Sequence, residues 1–146
     1  MTDRNRVQAL MQALYTSSTT FTITPGTGGG SAFTITPPYK LRLMTTQGSN
    51  TSNGTELTGT GYSAGGSTLG SSAFGAPSAG VQTNSNSVSW SVGSSWTTVT
   101  SIEIWDSAGT PLRWLQGALT SSITGAANGD TVTFSAGSIS LDASAW

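Results

Sequence analysis

Beyond Tyr15 the apolar residues of this 146-residue chain leave helical spacing and begin to alternate. FTITP stands at 21–25 and again at 33–37, YKLRLMTT fills 39–46, and Val88, Trp90 and Val92 alternate with serine. A period of two belongs to a strand with one buried face. Many short runs of it, divided by Gly, Ser and Asn, predict a mainly β fold, an antiparallel β-sandwich or barrel-like domain. Tyr39, Leu41 and Leu43 are expected on one face of their strand, with Lys40, Arg42 and Met44 on the other. Thr97–Trp105 and Leu112–Leu119 read as strands joined by the turn DSAGTP (106–111). Setting Ile104 opposite Leu112 and Ile102 opposite Trp114 puts apolar groups together, and Glu103 then faces Arg113. Two further strands, Thr131–Phe134 and Ser138–Leu141, follow the turn signal Asn128-Gly129-Asp130.

One segment breaks the rule. Val7, Leu10, Met11 and Leu14 fall at i, i+3, i+4 and i+7, which predicts an N-terminal α-helix over 3–15. Thr2 is placed to cap it, and Asp3 to meet the positive end of its dipole. A helix this short needs a surface to lie on, either its own β domain or a neighbouring subunit. The whole chain reads as a single domain: an N-terminal helical segment 1–17, a β-hairpin arm 18–38 built on the two FTITP copies, and a β core 39–146. Within the core, 47–87 is poor in strands, but Leu57, Tyr62, Leu69, Phe74 and Val81 recur through it as anchors for ordered loops.

Composition then decides what such a domain does. Serine (24), threonine (25) and glycine (19) make 68 of the 146 residues, and Leu, Ile, Val and Phe only 26. That apolar share accompanies disorder when net charge is high, but here the net charge is −1, and five tryptophans and three tyrosines add large apolar surfaces. Histidine and cysteine are absent, which excludes imidazole and thiolate chemistry, disulfides and zinc sites. A balance of five basic against six acidic residues gives no basic stripe for nucleic acid. No apolar run approaches a membrane span, and no signal peptide is visible, so synthesis in the cytoplasm is expected.

Catalytic arrangements are equally sparse. Glu103 and Asp106 have odd spacing on a strand, which sends them to opposite faces. Asp106, Asp130 and Asp142 lie near strand ends, where turn formation is a commoner role than calcium binding, and no D-x-D-x-D-G loop is present. GTGGGS (26–31) has the outline of a phosphate loop but lacks the Lys-Ser/Thr ending. Lys40, the single lysine, sits on a strand in no catalytic motif. The expectation is a protein that is not an enzyme and has no cofactor and no metal site. Contact remains as the function. Trp90 and Trp114 fit an inner face, whereas Trp105, with Leu115 in the register above, falls on the nominally outer one, where aromatic residues favour interfaces. The candidate interface residues are Val7, Leu10, Met11 and Leu14 of the helix, Phe21, Ile23, Phe33 and Ile35 of the arm, Trp105 and Leu115, and the terminal Trp146. Burial of Trp105 beneath a loop or helix of its own chain is the competing reading.

The stretch from Leu41 to Asp142 adds a resemblance. An LxLxT strand leads to GTELTGTGY. An AP…G…N…VSW…W.TVT block ending at Asp106 follows, and then GAL and GDTVTFSAG. The matching positions are Gly54, Thr55, Glu56, Gly61, Tyr62, Ala76, Pro77, Trp96, Val99, Asp106, Gly117, Ala118, Leu119, Gly129, Asp130, Phe134, Ala136 and Gly137. The chain resembles the small virion proteins of tailed bacteriophages that are described as tail-fibre-like, minor tail or head decoration proteins. It departs from them at Ser63, where an arginine often follows the GY, and in the doubled FTITP arm. The resemblance implies a non-enzymatic structural protein of the virion. The leading expectation is a capsid decoration or minor capsid protein on the outer capsid surface, with the major capsid protein or other virion proteins as partners. A homo-oligomer or multi-copy assembly follows from that setting. A tail-fibre or tail-tip module touching the host is the alternative, and a carbohydrate-binding domain, with a glycan partner, is a third reading.

Overall fold

The computed structural model describes residues 21–23, 33–70 and 73–142. The predicted helix 3–15, the glycine connection 26–30 and Trp146 lie outside them. Eleven strands follow in chain order: β1 Phe21–Ile23, β2 Phe33–Ile35, β3 Tyr39–Thr46, β4 Thr55–Glu56, β5 Ser67–Leu69, β6 Val81–Thr83, β7 Val88–Ser91, β8 Val99–Trp105, β9 Arg113–Ile123, β10 Thr131–Phe134 and β11 Ser140–Asp142. The fold is mainly β with antiparallel sheets, as the alternation predicts. No helix among the described residues is long and apolar enough to cross a membrane. The described residues group into two compact units, one of 39–69 and 88–133 and the other of 21–23, 33–38, 70, 73–87 and 134–142.

In the first unit β3 is the centre of a five-stranded sheet. β8 pairs along one of its edges, β4 and β5 take different stretches of the other, and β9 closes the sheet beyond β8. The expected alternation of β3 holds. Leu41 lies opposite Ile104 and Leu43 opposite Ile102, while Arg42 lies opposite Glu103 and Lys40 opposite Trp105. Tyr39, Leu41 and Leu43 are buried, and truncating a leucine so placed costs about 2–5 kcal/mol. The loops are pinned as their spacing predicts, with Leu57, Tyr62 and Leu69 buried. Tyr62 packs against Trp90 and stands edge-on to Trp96, at centroid separations of 6.5 and 6.2 Å. The Trp96 indole N–H donates to the Thr60 carbonyl at 3.0 Å. β7 pairs with β10. The Asn128-Gly129-Asp130 turn forms, with Gly129 at φ +94° and the Asp130 carboxylate accepting from the Ala127 N–H at 2.8 Å.

The register between β8 and β9 differs from the expected one. Trp105 lies opposite Arg113, Ile104 opposite Leu115, Glu103 opposite Gln116 and Ile102 opposite Gly117, with an irregularity between Ile104 and Trp105. The cause is the turn. Asp106 donates its own N–H to the Leu112 carbonyl at 3.0 Å and accepts the Leu112 N–H on Oδ1 at 2.8 Å. This makes Leu112, and not the earlier Thr110 that the expected register sets opposite Asp106, the turn's closing partner. Trp114 is then an extra residue, and such a bulge changes which face the following side chains occupy.

In the second unit β1 and β2 form the expected antiparallel hairpin, Phe21 opposite Ile35 and Ile23 opposite Phe33. β6 pairs with β11, Leu141 opposite Gln82. β11 begins two residues later than expected because Ser135–Ser138 closes a turn, the Ser138 N–H donating to the Ser135 carbonyl at 3.0 Å. Buried Asn84 ties this unit together. Its amide donates to the Asn86 and Ser135 carbonyls at 2.9 Å each and accepts the Ile139 N–H at 2.8 Å.

Candidate functional site: a charge ladder across the sheet

The second face of the five-stranded sheet carries Arg42 from β3, Glu56 from β4, Glu103 and Trp105 from β8, and Arg113 from β9. They form one continuous chain of contacts. Glu56 Oε2 meets Arg42 Nη1 at 3.4 Å. The Arg42 guanidinium lies 4.0 Å over the Trp105 ring, a cation–π contact that strengthens as it is desolvated. The Trp105 indole donates to Glu103 Oε2 at 2.9 Å. Glu103 Oε1 accepts from Arg113 Nη1 at 3.0 Å and from the Gly54 N–H at 3.1 Å. The Glu103 side chain is 0% exposed and that of Arg113 12%. A carboxylate so deeply buried persists only with its charge paired and its lone pairs filled, and this one has a cation and two N–H donors.

The expected Glu103–Arg113 pair therefore forms, although the two are not direct cross-strand partners. Arg113 stands opposite Trp105, and Glu103 lies two residues further along β8 on the same face, within diagonal reach. Arg113 also fixes the loop 47–54. Nη1 donates to the Ser52 carbonyl at 2.9 Å and Nη2 to the Ser49 carbonyl. The loop approaches so closely that a Cβ at Gly54 would press on the Thr46 carbonyl oxygen and on Glu103 Oε1.

At the far end Glu56 Oε1 accepts from the Tyr62 hydroxyl and the Gly65 N–H, at 2.7 Å each. The same hydroxyl accepts the Leu43 N–H at 3.2 Å. Burial, and then the hydrogen bond to Glu56, push the Tyr62 phenol well above the usual tyrosine range. Burial, with the charge of Asp106 second, also raises that of Tyr39. Asp106 is buried and serves its turn through Oδ1, which accepts the Leu112 and Ala108 N–H groups. Among the described residues no three Asp or Glu side chains lie together so as to hold a metal ion.

The candidate interface residues are dispersed. Val7, Leu10, Met11, Leu14 and Trp146 lie outside the described residues. Phe21, Ile23 and Phe33 have their places in the β1–β2 pair, and Ile35 is fully buried. Trp105 and Leu115 do not share a face. Trp105 is buried beneath Arg42, whereas the bulge carries Leu115 to the side of Ile104, where it is half-buried. Trp105 is thus covered by its own chain, but by the Arg42 side chain of β3 and not by the loop or helix of the competing reading. The ladder members that residue patterning missed are Arg42, Glu56, Tyr62 and Gly54. Three of the four belong to the GTE and GY motifs, so the signal was present as a motif without an assigned role.

No curated protein and no solved structure matches the chain. A family model does. It is described as Gp80, podophage GP4 fiber I protein gp80, and it matches residues 22–142, a span that begins within β1 and takes in β2, the ladder and the turns that close the sheets. The chain belongs to this family of bacteriophage virion structural proteins.

Proposed function

We propose that this protein is a component of a phage fibre, that it works by contact and not by catalysis, and that it is not a decoration of the capsid lattice. The family match over 121 of 146 residues carries the reading, since its description is that of a fibre protein. This takes the alternative of the two virion settings and leaves the capsid surface without support of its own. The chemistry of the ladder agrees. Glu103, Glu56 and Asp106 accept hydrogen bonds from donors of their own chain, and Arg42 and Arg113 each meet a carboxylate. Groups committed in this way stiffen a sheet. Its partners are other virion proteins, and its copies act together by symmetry.

Counting copies tests the setting. Quantitative mass spectrometry of purified virions, normalised to the major capsid protein, gives copies per particle, and gold-labelled antibody gives the location. A small multiple of the tail symmetry with label at the tail is expected. A copy number on the scale of the capsid lattice, with label over the shell, overturns the reading and restores decoration.

A further inference from the structure

We infer that Asn128 is a site of spontaneous self-modification, where the chain turns a side-chain amide into a carboxylate, and that the ladder protects its counterpart, Asn53. The chain has six asparagines, and these two precede glycine. A glycine nitrogen can attack the preceding asparagine Cγ because no Cβ shields the approach. The N–Cγ bond forms, the Cγ–Nδ2 bond breaks, and ammonia leaves carrying the amide proton. Water then opens the imide ring at either carbonyl. The product is aspartate or its isomer, in which the main chain runs through the side-chain carbonyl. Water is the only reactant from outside the chain.

Both asparagines are exposed, so the two sites differ in what holds the attacking nitrogen. The Gly129 N–H donates to the Val92 carbonyl at 2.9 Å, a neutral bond at an exposed residue. A Cβ at Gly129 would meet nothing within 4 Å. The Gly54 N–H donates instead to Glu103 Oε1 at 3.1 Å, and that carboxylate is 0% exposed. Freeing the Gly54 nitrogen takes a donor from a buried charge, whereas freeing Gly129 breaks one neutral bond within reach of water. Bonds to a charged group are roughly twice as strong. Gly54 is also walled in, since a Cβ there would press on the Thr46 carbonyl oxygen and stand 2.9 Å from the Gly48 nitrogen. The reaction at Asn128 strikes the turn that joins β7 to β10. The Asp130 N–H donates to the Ala127 carbonyl at 3.0 Å, and the Val92 N–H to the Asp130 carbonyl at 2.9 Å. A new carboxylate adds a negative charge two residues from Asp130, and the isomer lengthens the main chain by a carbon inside that turn. The inference concerns a single subunit and holds wherever the protein sits in the virion, so copy counting and the present test fail independently.

Full-length protein is held folded at mildly alkaline pH, sampled over weeks and digested with trypsin. Cleavage at Arg42 and Arg113 gives peptide 43–113, which holds Asn53, and peptide 114–146, whose one asparagine is Asn128. Fragmentation in the mass spectrometer then places each conversion of amide to acid. Asn128 should convert about tenfold faster than Asn53. In concentrated urea neither nitrogen is held, and the two rates should come together. Glu103→Gln leaves Gly54 a neutral acceptor and should raise the Asn53 rate several-fold. Asn128→Gln, whose longer side chain closes the ring far more slowly, should leave peptide 114–146 unconverted. Equal rates in the folded protein, or no conversion at Asn128, overturn the proposal. So does a ratio that persists in urea, because local sequence and not the fold would then set it. Faster conversion at Asn53 overturns it too, since Glu103 would be acting as a base toward the Gly54 N–H. The comparison of folded and urea-unfolded wild-type protein decides even where Glu103→Gln fails to fold.

Discussion

Replacing Arg113 by Met is the sharpest test of the ladder. The substitution leaves a side chain of similar reach and removes only the charge and donors. Glu103, 0% exposed, loses its cation and keeps the Gly54 and Trp105 N–H donors. Removing one partner of a buried pair costs about 3–5 kcal/mol. The two remaining donors, and water entering where a 12%-exposed side chain stood, bring the expected loss to about 2–4 kcal/mol. The Ser49 and Ser52 carbonyls lie on an exposed loop and turn to water at little further cost. Glu103→Gln removes the anion instead. Arg113 then keeps two carbonyl acceptors and some access to solvent, so the loss falls to about 1–2 kcal/mol. The order is the diagnostic, because stranding the inner partner must cost more than stranding the outer one. Urea unfolding followed by tryptophan fluorescence measures both, and a loss of about 3 kcal/mol lowers Tm by roughly 10 °C in a chain of this size. A loss within about 0.5 kcal/mol for Arg113→Met, or a larger loss for Glu103→Gln, would refute the reasoning and place the pair among ordinary surface contacts.

Gly61→Ala adds a Cβ against the Ser91 carbonyl oxygen at φ +91°, and both effects destabilise. The loss expected in the same urea assay is about 2 kcal/mol or more, and a neutral result would deny the close approach. High pH tests the two buried phenols, whose folded pKa values lie above the unfolded value of 10.0. Below pH 10 both states hold the protons; above it the unfolded state releases them first, so stability falls as pH rises through the folded values. Each unit costs up to about 1.4 kcal/mol per tyrosine. Tyr62→Phe should flatten the alkaline limb of the stability curve, and an unchanged limb counts against burial of that hydroxyl.

Alternation made β3 and β10 legible to the residue, because each has one clearly apolar face and clear turn chemistry beside it. The β8–β9 register was not legible. It depends on a single side-chain bond, Asp106 Oδ1 to the Leu112 N–H, and no periodicity distinguishes a six-residue turn closed there from a tighter one. One extra residue moves every later side chain across the sheet, which is why a register without the bulge puts Leu115 on the face of Trp105. The Glu103–Arg113 pair survived the error because a long side chain spans direct and diagonal positions alike. Alternation sends Arg42 to the face opposite Leu41 and Leu43, as observed, but its stacking on Trp105 requires knowing that β3 and β8 are neighbours, 63 residues apart at Arg42 and Trp105. Local pattern holds no such information.

The ladder also changes what a surface of serine and threonine means here. Eight charged residues lie among the described positions, and Arg42, Glu56, Glu103 and Arg113 pair among themselves with no net charge. Asp106 is buried in its turn. Lys40 and Asp130 take no part in that pairing. Charge in this protein holds strands together internally, and it does little to steer a partner from a distance. Among the described residues, what is left to meet another virion protein is mostly hydroxyls, backbone groups and scattered apolar side chains, which act only at contact. Such an interface loses little to ionic screening, which weakens exposed charge pairs beyond about 10 Å at 0.1 M salt. Among the described residues, the pairing of Arg42, Glu56, Glu103 and Arg113 inside the sheet is what leaves so little charge for screening to act on.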